Sequence, residues 1–136
     1  MIILDTNVIS ALMADTREVV AWAMALGEQP VTTAITKAEL LYGIEQLPDG
    51  GRKRGYRARS ADALALVHDI LPVTAHSAEA YAAIRAQRQH DGRPITTADA
   101  MIAAIARQTG AGLATRNVKD FEGLGLRLVD PWNHTI

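Results

Sequence analysis

Short apolar runs recur along the chain at 1–4, 30–34, 70–73, 112–115 and 126–129, most of them bounded by Gly, Pro or Thr. Runs this short with such flanks predict buried strands. Between them, apolar residues fall at helical spacing over 18–26, 37–47, 61–69, 78–90 and 98–109, and Gly27, Pro48 and Gly110 stand at three of the ends as stops. Strand and helix alternate, which predicts an α/β fold with a central, mainly parallel sheet, helices on both faces and right-handed crossovers. The stretch 49–59 is irregular, a Gly-rich turn running into a basic run. It reads either as a solvated loop and helix entry or as a surface for a phosphate backbone.

Acidic residues stand where these strands give way to helices. Asp5 follows Met1-Ile2-Ile3-Leu4 and precedes Thr6-Asn7, where the first strand breaks into a helix. Ligands of open parallel sheets gather at that carboxyl edge. Asp5 precedes its expected helix caps, Thr6 or Asn7, and a half-buried carboxylate there needs a cation, donors or a proton. Glu39 lies in Ile35-Thr36-Lys37-Ala38-Glu39-Leu40, and Asp99 in Ile95-Thr96-Thr97-Ala98-Asp99-Ala100. Each has the spacing of a helix cap, Thr36 to Glu39 and Thr96 to Asp99, and capping alone explains either one. Together with Asp5, three acids meeting at one sheet edge without a fixed counter-charge would call for a divalent metal. Oxygen donors favour Mg²⁺ or Mn²⁺ over Zn²⁺. Asn117 or Asp120, after the fourth strand, could complete the pocket, although Asn117 also suits an Asx turn with Asp120 in solvent. Arg116, Lys119 and Lys37 are the nearby candidates for phosphate contact.

Composition narrows the chemistry. The 136 residues are 49% hydrophobic, enough for one domain over 1–136 with its own core. Without cysteine, disulfides, thiol nucleophiles and thiolate metal sites are excluded, and a reducing cytoplasm is the expected setting. No run suggests a signal peptide or a membrane span. A net charge of −1 leaves nucleic-acid binding to local patches. His68, His76, His90 and His134 lack zinc-ligand spacing, Ser10, Ser60 and Ser77 lack a nucleophile-elbow context, and no phosphate-binding Gly-rich loop is present.

The strings Asp5-Thr6-Asn7, Ile35-Thr36-Lys37-Ala38-Glu39-Leu40 with Gly43, Asp99-Ala100-Met101-Ile102-Ala103-Ala104, Thr115-Arg116-Asn117-Val118-Lys119-Asp120-Phe121 and Asp130-Pro131-Trp132 resemble, in order and spacing, the PIN-domain ribonucleases. More closely, they resemble the VapC and FitB toxins of type II toxin-antitoxin pairs. The resemblance implies a three-layer α/β/α sandwich and an acidic Mg²⁺ pocket, with Mn²⁺ a possible substitute. Asp5, Glu39 and Asp99 match its first three acids, Asp120 or Asn117 the fourth, and Thr6 and Asn7 its supporting hydrogen bonds.

The activity implied is metal-assisted endoribonuclease cleavage of RNA, with one or two ions activating water for in-line attack. The partners implied are a second copy of the chain and a VapB-like antitoxin that also binds DNA, in a higher-order complex. Apolar residues of the first and second helical segments, including Trp22, Met24, Leu41 and Tyr42, belong either to the core or to a groove for that antitoxin. Two alternatives stand beside this reading. One is a catalytically silent PIN-like module that binds RNA or protein. The other is an aspartate-dependent phosphatase or receiver domain, against which Asn7 and Leu4 stand where those families carry acids.

Overall fold

The computed structural model describes residues 1–133; His134 lies outside them. Five strands form one sheet in the order β3-β2-β1-β4-β5, where β1 is Ile2–Leu4, β2 Pro30–Thr33, β3 Ile70–Leu71, β4 Gly112–Ala114 and β5 Leu128–Val129. Every neighbouring pair is parallel, so the expected mainly parallel sheet is parallel throughout. The helices are α1 (Thr6–Met13), α2 (Arg17–Met24), α3 (Ala34–Glu45), α4 (Gly51–Leu66), α5 (Ala75–His90) and α6 (Thr97–Thr109).

Alternation along β1 divides the interior. Ile3 packs with Val31, Leu113 and the helix residues Ile84, Ile102 and Ile105 on one face. Ile2 and Leu4 pack with Val8, Val19, Trp22, Leu40 and Ala63 on the other. Successive side chains of a strand point to opposite faces, so three residues serve two cores. The first face is covered chiefly by α5 and α6, the second by α1 to α4, which gives the three layers expected. Among the described residues no helix is long and apolar enough to cross a membrane.

Several local expectations are corrected. The stretch 49–59 is helical from Gly51, so α4 starts a full ten residues before the helix predicted over 61–69. Its N-cap Gly50 has φ 146, which a side chain would resist, and weak apolar periodicity hid the helix behind its charges. Thr36 is not a cap but a buried residue inside α3, whose N-cap is Thr33, the Thr33 hydroxyl accepting from Thr36 N at 3.0 Å. Glu39 therefore lies past the first turn and caps nothing. Asp5 is itself the N-cap of α1, in place of Thr6 or Asn7. Thr96 caps α6 as expected, accepting from Asp99 N at 3.2 Å.

Candidate metal centre

Chain order reverses direction at β1. From β1 the chain adds β2 and β3 on one side, then returns to place β4 and β5 on the other. The carboxyl ends of β1 and β4 thus border a topological switch point, the place where such sheets bind ligands. Register pairs Leu4 with Ala114, so the next residues, Asp5 and Thr115, emerge side by side. Asp5 N donates to Ala114 O at 3.0 Å.

The Asp5 carboxylate is 6% exposed and bonded at both oxygens. Oδ1 accepts from Thr6 N and Oδ2 from Thr115 Oγ1, each at 2.8 Å. Thr115 Oγ1 in turn accepts from Asn117 N at 3.1 Å and from Asn7 Nδ2 at 3.4 Å. With its lone pairs so engaged, its one proton is directed at Asp5. Asn7 Oδ1 accepts from Arg116 N at 3.1 Å, which ties α1 to the turn after β4. Asp5 is thus fixed in direction, with one lone pair of each oxygen left for a cation.

Three further acids surround it. Half-buried Asp99 opens the first turn of α6. Exposed Glu39 accepts from Thr6 Oγ1 at 3.0 Å. Asp120 sits in a single 3-10 turn, Val118–Phe121, and shares with Asp99 a cavity of about 110 Å³ also walled by Thr96, Ile95 and Arg88. Burial raises the Asp5 pKa, the Thr115 and Thr6 bonds lower it in part, and the charge of Asp120 raises it. Burial likewise raises that of Asp99, followed by the charge of Asp5; the Thr96 hydroxyl opposes, and Asp120 and Glu39 push the same way. None of the four acids has a Lys or Arg partner among the described residues. Unrelieved negative charge and all-oxygen donors suit a hard divalent cation. No three carboxylates or imidazoles among the described residues are gathered closely enough to enclose an ion as they stand. An ion held by all four acids would need Glu39 and Asp120, both exposed, to turn inward against their mutual repulsion.

Asp120 rather than Asn117 faces the other acids. Asn117 is exposed, and its backbone serves Thr115. Arg116 lies over the Trp132 ring at 4.8 Å, while Lys37 and Lys119 are exposed and unpaired among the described residues.

Two residues that shape the site were missed from sequence. Thr115 could have been found from strand register, one step beyond Leu4 and Ala114. Arg88 could not, since it lies between Gln87 and Gln89 in a polar helix end. It is 4% exposed, and its Nη2 donates to Asp120 O at 2.7 Å and Glu122 O at 3.0 Å. Gln87 Nε2 to Gly123 O, Arg93 Nη2 to Lys119 O and Arg107 Nη2 to Leu124 O complete the hold on this turn.

A pH dependence follows for the metal-free protein. Asp5 and Asp99 have folded-state pKa values above the ordinary 3.8, so the native state binds protons more tightly than the unfolded chain, and stability falls as pH rises upward from that value. Melts in EDTA between about pH 4 and pH 7 should show this loss, and Asp99→Asn should shrink it. An unchanged slope in a folded variant would exclude crowding of the acids as its source.

The PIN domain family model matches residues 2–124. The VapC ribonuclease Y4jK of Sinorhizobium fredii is 39% identical over 97% of this chain and 98% of its own length. Toxin FitB of Neisseria gonorrhoeae is 36% identical over 98% and 99%. The solved structure of FitAB bound to a DNA fragment superposes with a TM-score of 0.87 at 34% identity, covering 100% of this chain and 99% of that one.

Proposed function

The chain belongs to the PIN-domain family, among the ribonuclease toxins of the VapC and FitB kind, and from that membership we propose that Asp5, Glu39, Asp99 and Asp120 hold Mg²⁺ for endonucleolytic cleavage of RNA. The observation that carries this reading is the buried, doubly bonded Asp5 beside three acids that have no Lys or Arg partner among the described residues. A bound divalent ion supplies Lewis acidity toward a phosphate oxygen and toward the attacking water. The chain does the positioning. Thr115 and Thr6 N aim Asp5, Thr6 Oγ1 steadies Glu39, Asn7 couples α1 to the β4 turn, and Arg88 fixes the backbone that carries Asp120. Arg116, which lies over Trp132, would meet phosphate, with Lys37 and Lys119 as looser contacts.

The setting proposed is cytoplasmic, and the partners are RNA, a second copy of the chain and a cognate antitoxin that also binds DNA. The DNA-bound FitAB relative supports the last. For the antitoxin, the surface at hand is an apolar groove of about 360 Å³ between α2 and α4, lined by Leu12, Val20, Met24 and Leu66. Met24 is 84% and Leu66 73% exposed, whereas Val19, Trp22 and Leu40 belong to the core. Family membership removes the phosphatase and receiver alternatives. The silent-module alternative is met by experiment: purified protein should cut a labelled single-stranded RNA with Mg²⁺ and not with EDTA, and Asp99→Asn should abolish cutting and relieve growth arrest on expression. Undiminished cutting or toxicity by that folded variant would refute the site.

A further inference from the structure

Four of the five cations of the basic run on α4 divide into two sets, while the fifth, Arg54, is exposed and among the described residues joins no ion pair. Lys53 is buried and bonded to Glu45 O and Asp49 Oδ1, and Arg57 Nη2 donates to Glu45 Oε1 at 2.8 Å. These two serve the junction of α3 and α4. Arg52 and Arg59 are exposed, and among the described residues neither joins an ion pair. Each instead lies against the ring of Tyr56, Arg59 Cζ at 4.7 Å and Arg52 Cζ at 5.6 Å from its centroid. Spacing of i, i+4 and i+7 puts the three on one stripe of the helix.

That stripe lines a groove of about 420 Å³ together with Thr6 and Glu39 and with Leu40, Ile44 and Leu47 of α3. A guanidinium stacked by its face keeps its in-plane N–H donors free, and those donors match phosphate oxygens. Holding two flexible side chains in place beforehand also lessens the ordering cost of binding. The groove thus presents two cations, an apolar wall and one carboxylate of the acid cluster.

We propose that Arg52 and Arg59, held by Tyr56, bind the phosphodiester backbone of a single-stranded RNA and lead it along the α3–α4 groove to the acids at Asp5. This rests on the nuclease reading above and specifies where the substrate strand runs. Charge favours RNA over a peptide, since an acidic backbone is what two unpaired arginines complement.

The test uses the full chain carrying Asp99→Asn, which is not expected to cut, and a fluorescein-labelled single-stranded RNA. Adding R52Q and R59Q together should lower the slope of log Kd against log salt by about 1.4, two contacts at about 0.7 each. Y56L should weaken binding several-fold by freeing both arginines. R57Q, which removes one charge from the same helix, should leave the slope nearly unaltered. Arg52, Arg57 and Arg59 are exposed and Tyr56 is half-buried, and unchanged thermal midpoints would verify folding. A slope for R52Q/R59Q equal to that of the parent or of R57Q overturns the proposal, as does full RNA affinity with loss of inhibition by the cognate antitoxin, which would give the groove to a peptide. Separate assays of the wild type with Mg²⁺ and EDTA distinguish the two levels: no cutting at all sinks the nuclease reading, whereas cutting with unaffected variants sinks the groove alone.

Discussion

Asp5→Asn is expected to lower the rate of Mg²⁺-dependent RNA cleavage by at least roughly a thousandfold, since the ion's share of transition-state stabilisation is several kcal/mol and each 1.36 kcal/mol is about tenfold. Asn is the informative substitution because Asp5 has two duties. As N-cap of α1 it accepts from Thr6 N, and Ala there would cost about 1 kcal/mol of helix stability; an amide oxygen keeps that bond. The charge is removed, and with it the second oxygen that accepts from the Thr115 hydroxyl. Asp5 is desolvated and repelled by Asp120, so at neutral pH the relief of that burden should offset much of the cost of the lost Thr115 bond in the metal-free fold. Melting with and without Mg²⁺ gives a second readout. Ligands that bind only the native state raise the midpoint, and that rise should be present in the wild type and lost in the variant. An Asp5→Asn protein that cuts at near the wild-type rate would place the chemistry elsewhere.

What was legible in the sequence followed from periodicity and from edges. Five apolar runs became the five strands, because a buried parallel strand must be apolar on both faces and short runs between Gly and Pro have few other fates. Asp5 at a strand end was legible for the same reason, as the first polar residue after a run that cannot tolerate one. The α4 start was not. Its first turns, Gly-Arg-Lys-Arg-Gly-Tyr-Arg, bury little, with Lys53 alone among them turned inward, and the helix is held by packing and by the Glu45 and Asp49 contacts rather than by an apolar stripe. Capping was misassigned at Thr36 because Thr32, Thr33 and Thr36 all offer hydroxyls and local sequence cannot choose among them. Thr32 Oγ1 donates instead to Leu4 O across the sheet at 2.9 Å. Arg88 was illegible because its partners are main-chain carbonyls 32 and 34 residues away, which leave no trace in residue type.

Arg88→Met is expected to cost about 2–3 kcal/mol by stripping the donor from the Asp120 and Glu122 carbonyls, a fall in the midpoint on the order of 10 °C for a chain of this size. The apolar substitute keeps much of the volume among Ile95 and Pro94, so overpacking does not confuse the result. Its consequence for the site is separate from its consequence for the fold. Arg88 forks one nitrogen between two carbonyls on either side of buried Phe121, which sets the 3-10 turn and the direction from which Asp120 faces Asp99. Displacement of one positioning group by about 1 Å can cost roughly a hundredfold in rate. Below its melting temperature, Arg88→Met should therefore cut about a hundredfold more slowly and bind Mn²⁺ more weakly by titration calorimetry. Arg88→Lys, which retains the charge but loses the fork, should fall between. If Arg88→Met melts early yet binds Mn²⁺ and cuts as the wild type does, the clamp supports the fold alone and Asp120 takes its place by other means.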